Sequence, residues 1–382
     1  MESQSSLVYL DKDIHYLNCA AKSPLLKSGE RTMIEAMERE KQLHLRNSDD
    51  FFERPEHVRK LFANLVECRP SQVAFMPAVS YGLSSVLNNI TPGRGQHAIT
   101  VTSEFPSDYL GIRAWCDKHD SELKVVGSDQ SLDLMGSDWN ARILEAISED
   151  TAVVVLSAIH WMHGMRFDLK QIGARCREVG AVFLVDGTQA VGAMSMNVHE
   201  FQIDALFCAG YKWLFGPYSL GCMYIGERFN DGKPIEESWM NRTNSRNFAS
   251  LTNYGMEYMP DAGRYNVGET SHFLLMPMLS AGLEQVTAWG PDEIQAYCAA
   301  LNKPLYDLLD EKGWPRVEEA YCSHHLFGLK MPDGISIDAM KSKLEEKNVY
   351  VSQRGESLRV SVHAFNTEAD IEALMDALNS DT

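Results

Sequence analysis

Five short runs dominated by apolar residues constrain this chain more than any other feature. They occupy positions 73–76, 98–101, 152–156, 181–185 and 205–208. A strand with one wet face alternates apolar and polar side chains, whereas these runs are nearly continuous. Continuity of that kind requires cover on both faces, which means a mainly parallel sheet between helices: an α/β fold. A polar cluster follows each run. Pro77-Ala78-Val79-Ser80 follows the first, Ser103-Glu104-Phe105-Pro106-Ser107 the second and His160-Trp161 the third; Asp186-Gly187-Thr188-Gln189 follows the fourth and Lys212 the last. Ligands of such sheets sit outside the carboxyl ends of the strands. One site is therefore expected to collect Ser80, Phe105, His160, Asp186, Gln189 and Lys212.

The flanks read differently. Helical periodicity covers 27–45 and 55–68 before the first run, and 83–89 after it. From position 276 long helices are expected over 277–289 and 291–311, then a small αβ region: 325–330, helix 336–347, 349–351, 358–361 and a last helix 367–378. At 382 residues the chain exceeds one typical core. The division expected is a large unit, 16–275, and a smaller one, 276–382, joined by the N-terminal segment 1–15.

Acidic residues outnumber basic ones by 53 to 35, a formal charge of −18, which disfavours nucleic acid or an anionic membrane as a partner. An anionic ligand must then be held by local groups. The N-terminus lacks the basic start and apolar core of a signal peptide, and no apolar stretch is long enough to span a bilayer. Eight scattered cysteines, without a CxxC pair, read as buried small hydrophobes in a reducing cytosol, with no metal site expected.

Lys212 stands just past the apolar run Ala205-Leu206-Phe207-Cys208, in CAGYKWLFGPYSLG. An amine in an apolar pocket loses part of its preference for the charged form and becomes a nucleophile suited to imine formation. Taken alone, Lys212 reads more readily as a side chain that snorkels to solvent. Asp186 ends FLVDGTQ, where a buried carboxylate needs a cationic partner such as a pyridinium nitrogen, or else caps the next helix. A lysine and an aspartate on separate strand ends are what pyridoxal phosphate (PLP) chemistry uses. PAVSYG, between a strand and a helix, offers backbone N–H groups and the Ser80 hydroxyl to a phosphate.

With these residues in view the chain resembles the class V aminotransferases, the branch of fold-type-I PLP enzymes that includes cysteine desulfurases, kynureninase and isopenicillin N epimerase-like proteins. The likeness rests on YLNCAAKSP, PAVSYGL, SEFPSDY, LSAIHWMHG, LVDGTQAVG, AGYKWLFGPYSLG, RYNVGE and LRVSVHAFNT, spread over nearly the whole chain. It implies that Lys212 is the Schiff-base lysine and proton carrier, that Asp186 pairs with the pyridine nitrogen, and that Gln189 bonds the phenolic oxygen. Val79 and Ser80 would hold the phosphate, Phe105 would stack on the ring, and His160, Trp161 and Tyr211 would lie beside the cofactor. His160 reads also as a satisfied strand-end histidine. Arg359 would grip the substrate α-carboxylate, near Asn18; its plainer reading is a surface charge on an edge strand.

The resemblance further implies a homodimer, in which 241–254 and 264–270 reach the neighbouring site and Thr270 supplies a hydroxyl to the partner's phosphate. Two departures matter. Tyr211 stands where many relatives have His, and the stretch 351–357 carries no cysteine, which disfavours a persulfide-forming desulfurase. Transamination is the default reaction, with epimerisation and β-elimination as alternatives. Two other readings remain open: a serine hydrolase using Ser80 with Asp186 and His325 or His363, and a PLP-binding protein without turnover.

Overall fold

The computed structural model describes residues 1–379, so positions 380–382 of the expected C-terminal unit lie outside the described residues. A two-residue strand, β1 (His15–Tyr16), precedes helices α1 (Lys27–Glu40) and α2 (Glu53–Val66). Strands and helices then alternate through β2 (Val73–Met76), α3 (Val79–Leu87), β3 (His97–Val101), α4 (Pro106–His119), β4 (Leu123–Val126), α5 (Leu132–Ala146), β5 (Thr151–Ser157), α6 (Leu169–Val179) and β6 (Val182–Asp186). β7 (Ala205–Ala209) and β8 (Gly221–Ile225) come next, before two long helices, α7 (Leu275–Trp289) and α8 (Pro291–Glu311). The chain finishes with β9 (Leu326–Lys330), α9 (Ile337–Glu346), β10 (Val349–Tyr350), β11 (Ser352–Arg354), β12 (Ser357–Ser361) and α10 (Glu368–Asn379).

Seven strands form the main sheet in the order β2-β8-β7-β6-β5-β3-β4. β8 alone runs against its neighbours β2 and β7; every other pairing is parallel. The five apolar runs are strands of this sheet, displaced at most by a residue at either end. Their residues are buried throughout, as cover on both faces demands.

Two strands of this sheet escaped the sequence reading. β4 is an edge strand, half-exposed and interrupted by Lys124, so its apolar signal is weak. β8 is fully buried, but follows β7 through the lysine-bearing loop rather than through a helix. Two helix ends also moved. α1 stops at Glu40, before a separate 3-10 turn at Leu43–Leu45, and α3 begins at Val79, not at position 83. The early start puts Val79 and Ser80 in the helix's first turn. α3 lies so close to the sheet that a Cβ on Gly82 would sit 2.6 Å from the Met76 sulfur and 2.8 Å from the Phe207 ring.

The C-terminal strands form a separate antiparallel sheet, β11-β12-β9, while β1 pairs in parallel with β10. The N-terminal segment is stitched to these strands. Leu17 N–H donates to Tyr350 O at 3.0 Å, Ser361 N–H to Leu17 O at 2.9 Å, and Ala20 N–H to the Ser361 hydroxyl at 2.9 Å. Among the described residues no helix is long and apolar enough to cross a membrane.

Candidate active site

Asp186 is the last residue of β6 and Lys212 lies three residues past β7, on adjacent parallel strands. Both are 7% exposed. The Asp186 carboxylate accepts the Thr188 N–H at 2.8 Å, and the Thr188 hydroxyl accepts the Ala209 N–H at 3.1 Å, which ties the loop after β6 to the end of β7. Lys212 has no ion-pair partner among the described residues. Its Nζ lies 5.5 Å from the centre of the Phe105 ring and 5.7 Å from that of Tyr211. Burial lowers its pKa from 10.5 to about 8, with the Arg359 charge adding to the fall and Asp186 opposing it. The lysine is thus a desolvated amine, not a snorkelling one.

At the start of α3 the expected phosphate cradle has the right chemistry. Ala78 caps the helix without a side-chain bond, and the N–H groups of Tyr81 and Gly82 both turn back to Ala78 O. No backbone acceptor takes the N–H of Val79 or Ser80 among the described residues. Two free donors and the exposed Ser80 hydroxyl at a helix N-terminus fit a phosphate dianion.

Phe105 enters from the turn after β3, made by Ser103 at a φ of +54°. Its ring meets Trp161 edge-on at 5.6 Å, and Trp161 is fixed by its indole N–H on Ser103 O at 2.8 Å. Arg359, in β12, is 2% exposed. Its Nη1 donates to Trp161 O at 3.2 Å, while its Nε and Nη2 are buried with no hydrogen-bond partner among the described residues. Burial and the nearby Arg354 charge bring its pKa down to about 9. An orphaned buried guanidinium is costly unless an anion completes it. Arg359 is no surface charge on an edge strand.

Asn18 is held to the same strands: its Oδ1 accepts from the Ser352 hydroxyl at 2.6 Å, and Ser352 lies directly opposite Arg359 in the β11–β12 pairing. The Gln189 amide is clamped on both sides. Its Oε1 accepts from Trp213 Nε1 at 2.8 Å and its Nε2 donates to Ala20 O at 3.2 Å, which leaves one amide hydrogen for a ligand. Tyr211 accepts the Ser23 N–H on its carbonyl at 3.1 Å and packs its ring against Tyr218 at 4.6 Å.

Two expectations need correction. His160 is not a free acid–base group: it is wholly buried, with its ring stacked on His163 at 4.8 Å and against Trp139 at 5.0 Å. Burial, helped by His163, pushes its pKa down to about 3, so it is a neutral packing residue behind the strand end. Thr270, expected to reach the partner's phosphate, lies among buried residues of its own chain. It is 4% exposed, with its hydroxyl 3.7 Å from the Met240 sulfur of its own chain. The hydrolase triad fails as well. Ser80 is exposed, whereas His325 and His363 are fully buried. The two ring nitrogens of His325 face Gln189 O and the Gln295 side chain, each at 2.7 Å.

Two carboxyl groups of the site went unnoticed in SEFPSDY. Glu104 is 4% exposed and accepts from the Ser157 hydroxyl at 2.5 Å, from the Ser157 N–H at 2.8 Å and from the Phe105 N–H at 2.7 Å. Burial pushes its pKa up to about 7. Asp108, in the first turn of α4, is 1% exposed, and one of its oxygens is buried without a partner. Burial, then the nearby charges of Asp186 and Glu104, hold its pKa well above the usual carboxylate range. The i, i+4 spacing of Glu104 and Asp108 around a helix start was the available signal, but it reads equally as helix capping.

Known proteins share the sequence and the fold of this chain. The family profile described as Aminotransferase class-V matches residues 31–374. A relative named as an uncharacterised aminotransferase, YcbU of Bacillus subtilis, is 24% identical over 88% of this chain and 86% of its own. A probable cysteine desulfurase of Pyrococcus abyssi is 25% identical over 67% of this chain and 62% of its own. Among solved structures, a C-DES variant with glycine covalently linked to its PLP cofactor shares the fold at a TM-score of 0.84. It is 17% identical, and the match covers 96% of this chain and 97% of that one. With a buried lysine and aspartate on adjacent strand ends and the family profile spanning most of its length, the chain belongs to the class-V aminotransferases, PLP-dependent enzymes of fold type I.

Proposed function

We propose that this chain carries its cofactor on Lys212 and works at the α-carbon of an amino acid, with transamination as its reaction. One observation carries the reading. A buried arginine, Arg359, keeps two donor nitrogens unpartnered and stands close enough to Lys212 to shift its titration. A cation so placed suits a carboxylate whose α-amino group must reach the lysine's position.

When bound, PLP supplies an electron sink for the pair left at the α-carbon. The protein's own groups do the rest. Val79 and Ser80 hold the phosphate with backbone N–H groups and a hydroxyl. Asp186 holds a proton at the ring nitrogen, and Gln189 has one amide hydrogen for the phenolic oxygen. Lys212, part of it uncharged at neutral pH, would take the α-proton and, for transamination, deliver it to the cofactor carbon that bore the aldehyde. Phe105 provides the apolar wall that keeps that amine dry. Arg359 fixes the α-carboxylate.

Epimerisation and β-elimination share these first steps and are the nearest alternatives. Desulfuration through a cysteine persulfide is disfavoured, because Arg354 pairs with Ser357 across a turn of just Gly355 and Glu356. That tight hairpin leaves no loop to carry a nucleophilic thiol, and the nearest cysteine upstream, Cys322, is buried. In this reading the 73–225 sheet is the cofactor-binding unit and the C-terminal strands supply the substrate arginine. The protein acts as a homodimer in a reducing cytosol. Two observations support this: exposed apolar side chains such as Tyr254, at 86%, and Met256, at 76%, and eight free cysteines.

The test is a half-reaction. Single amino acids are added to the holoenzyme, loss of the visible band of the lysine-bound cofactor is followed, and the keto acid released is identified. If no amino acid converts the cofactor to its amine form, transamination is wrong; an amino acid turned over without that conversion would point to epimerisation or β-elimination, and no turnover at all to a binding protein.

A further inference from the structure

The β11–β12 hairpin places a second cation beside the first. Ser352 lies opposite Arg359 and Arg354 opposite Ser357, so all four residues share one face of the strand pair. Arg354 and Arg359 are then diagonal neighbours, within reach of each other for side chains of this length. Both guanidinium groups converge on one ring. The Arg354 carbon lies 5.6 Å from the centre of Trp161 and the Arg359 carbon 5.9 Å from it.

Neither arginine has a carboxylate partner among the described residues. Arg354 donates to Gln353 O at 2.7 Å, and Arg359 to Trp161 O. Two like charges on diagonal positions repel, and each lowers the other's preference for charge. The indole face relieves only part of the cost of two such cations.

We propose that the pair is a receptor for two anionic groups of one substrate: Arg359 takes the α-carboxylate and Arg354 a second oxyanion on the side chain. The substrate class is then an amino acid with an acidic side chain, a carboxylate or a sulfinate. This rests on the amino-acid reading given above for Arg359. Its specific element is Arg354, half-buried at the mouth and able to make a bidentate bond to a carboxylate.

The test has two arms. In the first, spectral titration of the holoenzyme gives apparent dissociation constants for aspartate, glutamate and cysteine sulfinate against asparagine, glutamine and alanine. At least tenfold tighter binding of an acid than of its amide is expected. Arg354→Gln should bring that ratio to within about twofold of unity, leave alanine binding and cofactor content unchanged, and be partly rescued in Arg354→Lys. In the second, the melting temperature is measured with succinate or glutarate against butyrate, where stabilisation by the diacids should depend on Arg354. Amides bound as tightly as acids, or an unchanged preference in Arg354→Gln, would overturn the inference while leaving the amino-acid reading intact. If no amino acid perturbs the spectrum yet the diacids stabilise through Arg354, the amino-acid reading fails and the two-anion receptor stands.

Discussion

Raising the pH of the cofactor-free protein should turn Lys212 from ammonium to amine around pH 8 rather than at its ordinary 10.5. The difference corresponds to about 3 kcal/mol of disfavour for the buried charge. At pH 7 a pKa near 8 leaves roughly one molecule in ten with a free amine, against about one in 3,000 for an ordinary lysine. The sign for stability follows from the same shift. Because the folded value lies below the unfolded one, the fold carries the full penalty below pH 8 and sheds it as the pH rises towards 10.5. The assay is the rate of adduct formation with a neutral aromatic aldehyde, trapped by borohydride and read at Lys212 by mass spectrometry between pH 6 and 10.5. Two variants fix the cause. Arg359→Met removes a charge that lowers the lysine's pKa and should move the midpoint up, whereas Asp186→Asn should move it down. A wild-type midpoint at 10 or above, or both variants moving the same way, would refute the argument.

Lys212→Ala should abolish the visible band of the lysine-bound cofactor; an unchanged spectrum would mean that another amine holds it. Arg359→Ala should weaken amino-acid binding by tenfold or more with cofactor content intact, as expected for a lost charge-assisted bidentate bond. Loss of cofactor instead would show a structural role. Gly82→Ala adds a methyl group that meets Met76 and Phe207 inside 3 Å, so urea denaturation should show a loss of about 1–3 kcal/mol. A neutral result would show that α3 can lift from the sheet.

The cofactor sheet was legible because five of its strands are covered on both faces, and burial that complete leaves an unbroken apolar run such as FLV before Asp186. β4 was not legible, since one exposed face and Lys124 mask it. Nor does an apolar run carry direction: nothing in Gly221–Ile225 says that it runs antiparallel. Lys212, Asp186 and Arg359 could be named from their neighbours in the chain. His160 shows the limit of such reasoning, because a strand-end position does not say which way a ring turns, and here it turns towards Trp139 and His163. Asp108 shows another, since only the folded chain brings it against Asp186. The unpartnered nitrogens of Arg359 are likewise a property of packing, invisible in LRVSVH.

The stitching of Leu17 and Ala20 onto β10 and β12 has a consequence for biosynthesis. Every strand of the sheet bearing Asp186 has been translated by Ile225, whereas the strand bearing Arg359 follows much later and is locked in by residues 17–20, which precede that sheet. The Arg359 side of the site therefore waits for residues 17–20 to meet β12. A product truncated before β12 has the lysine and the aspartate but lacks this arginine.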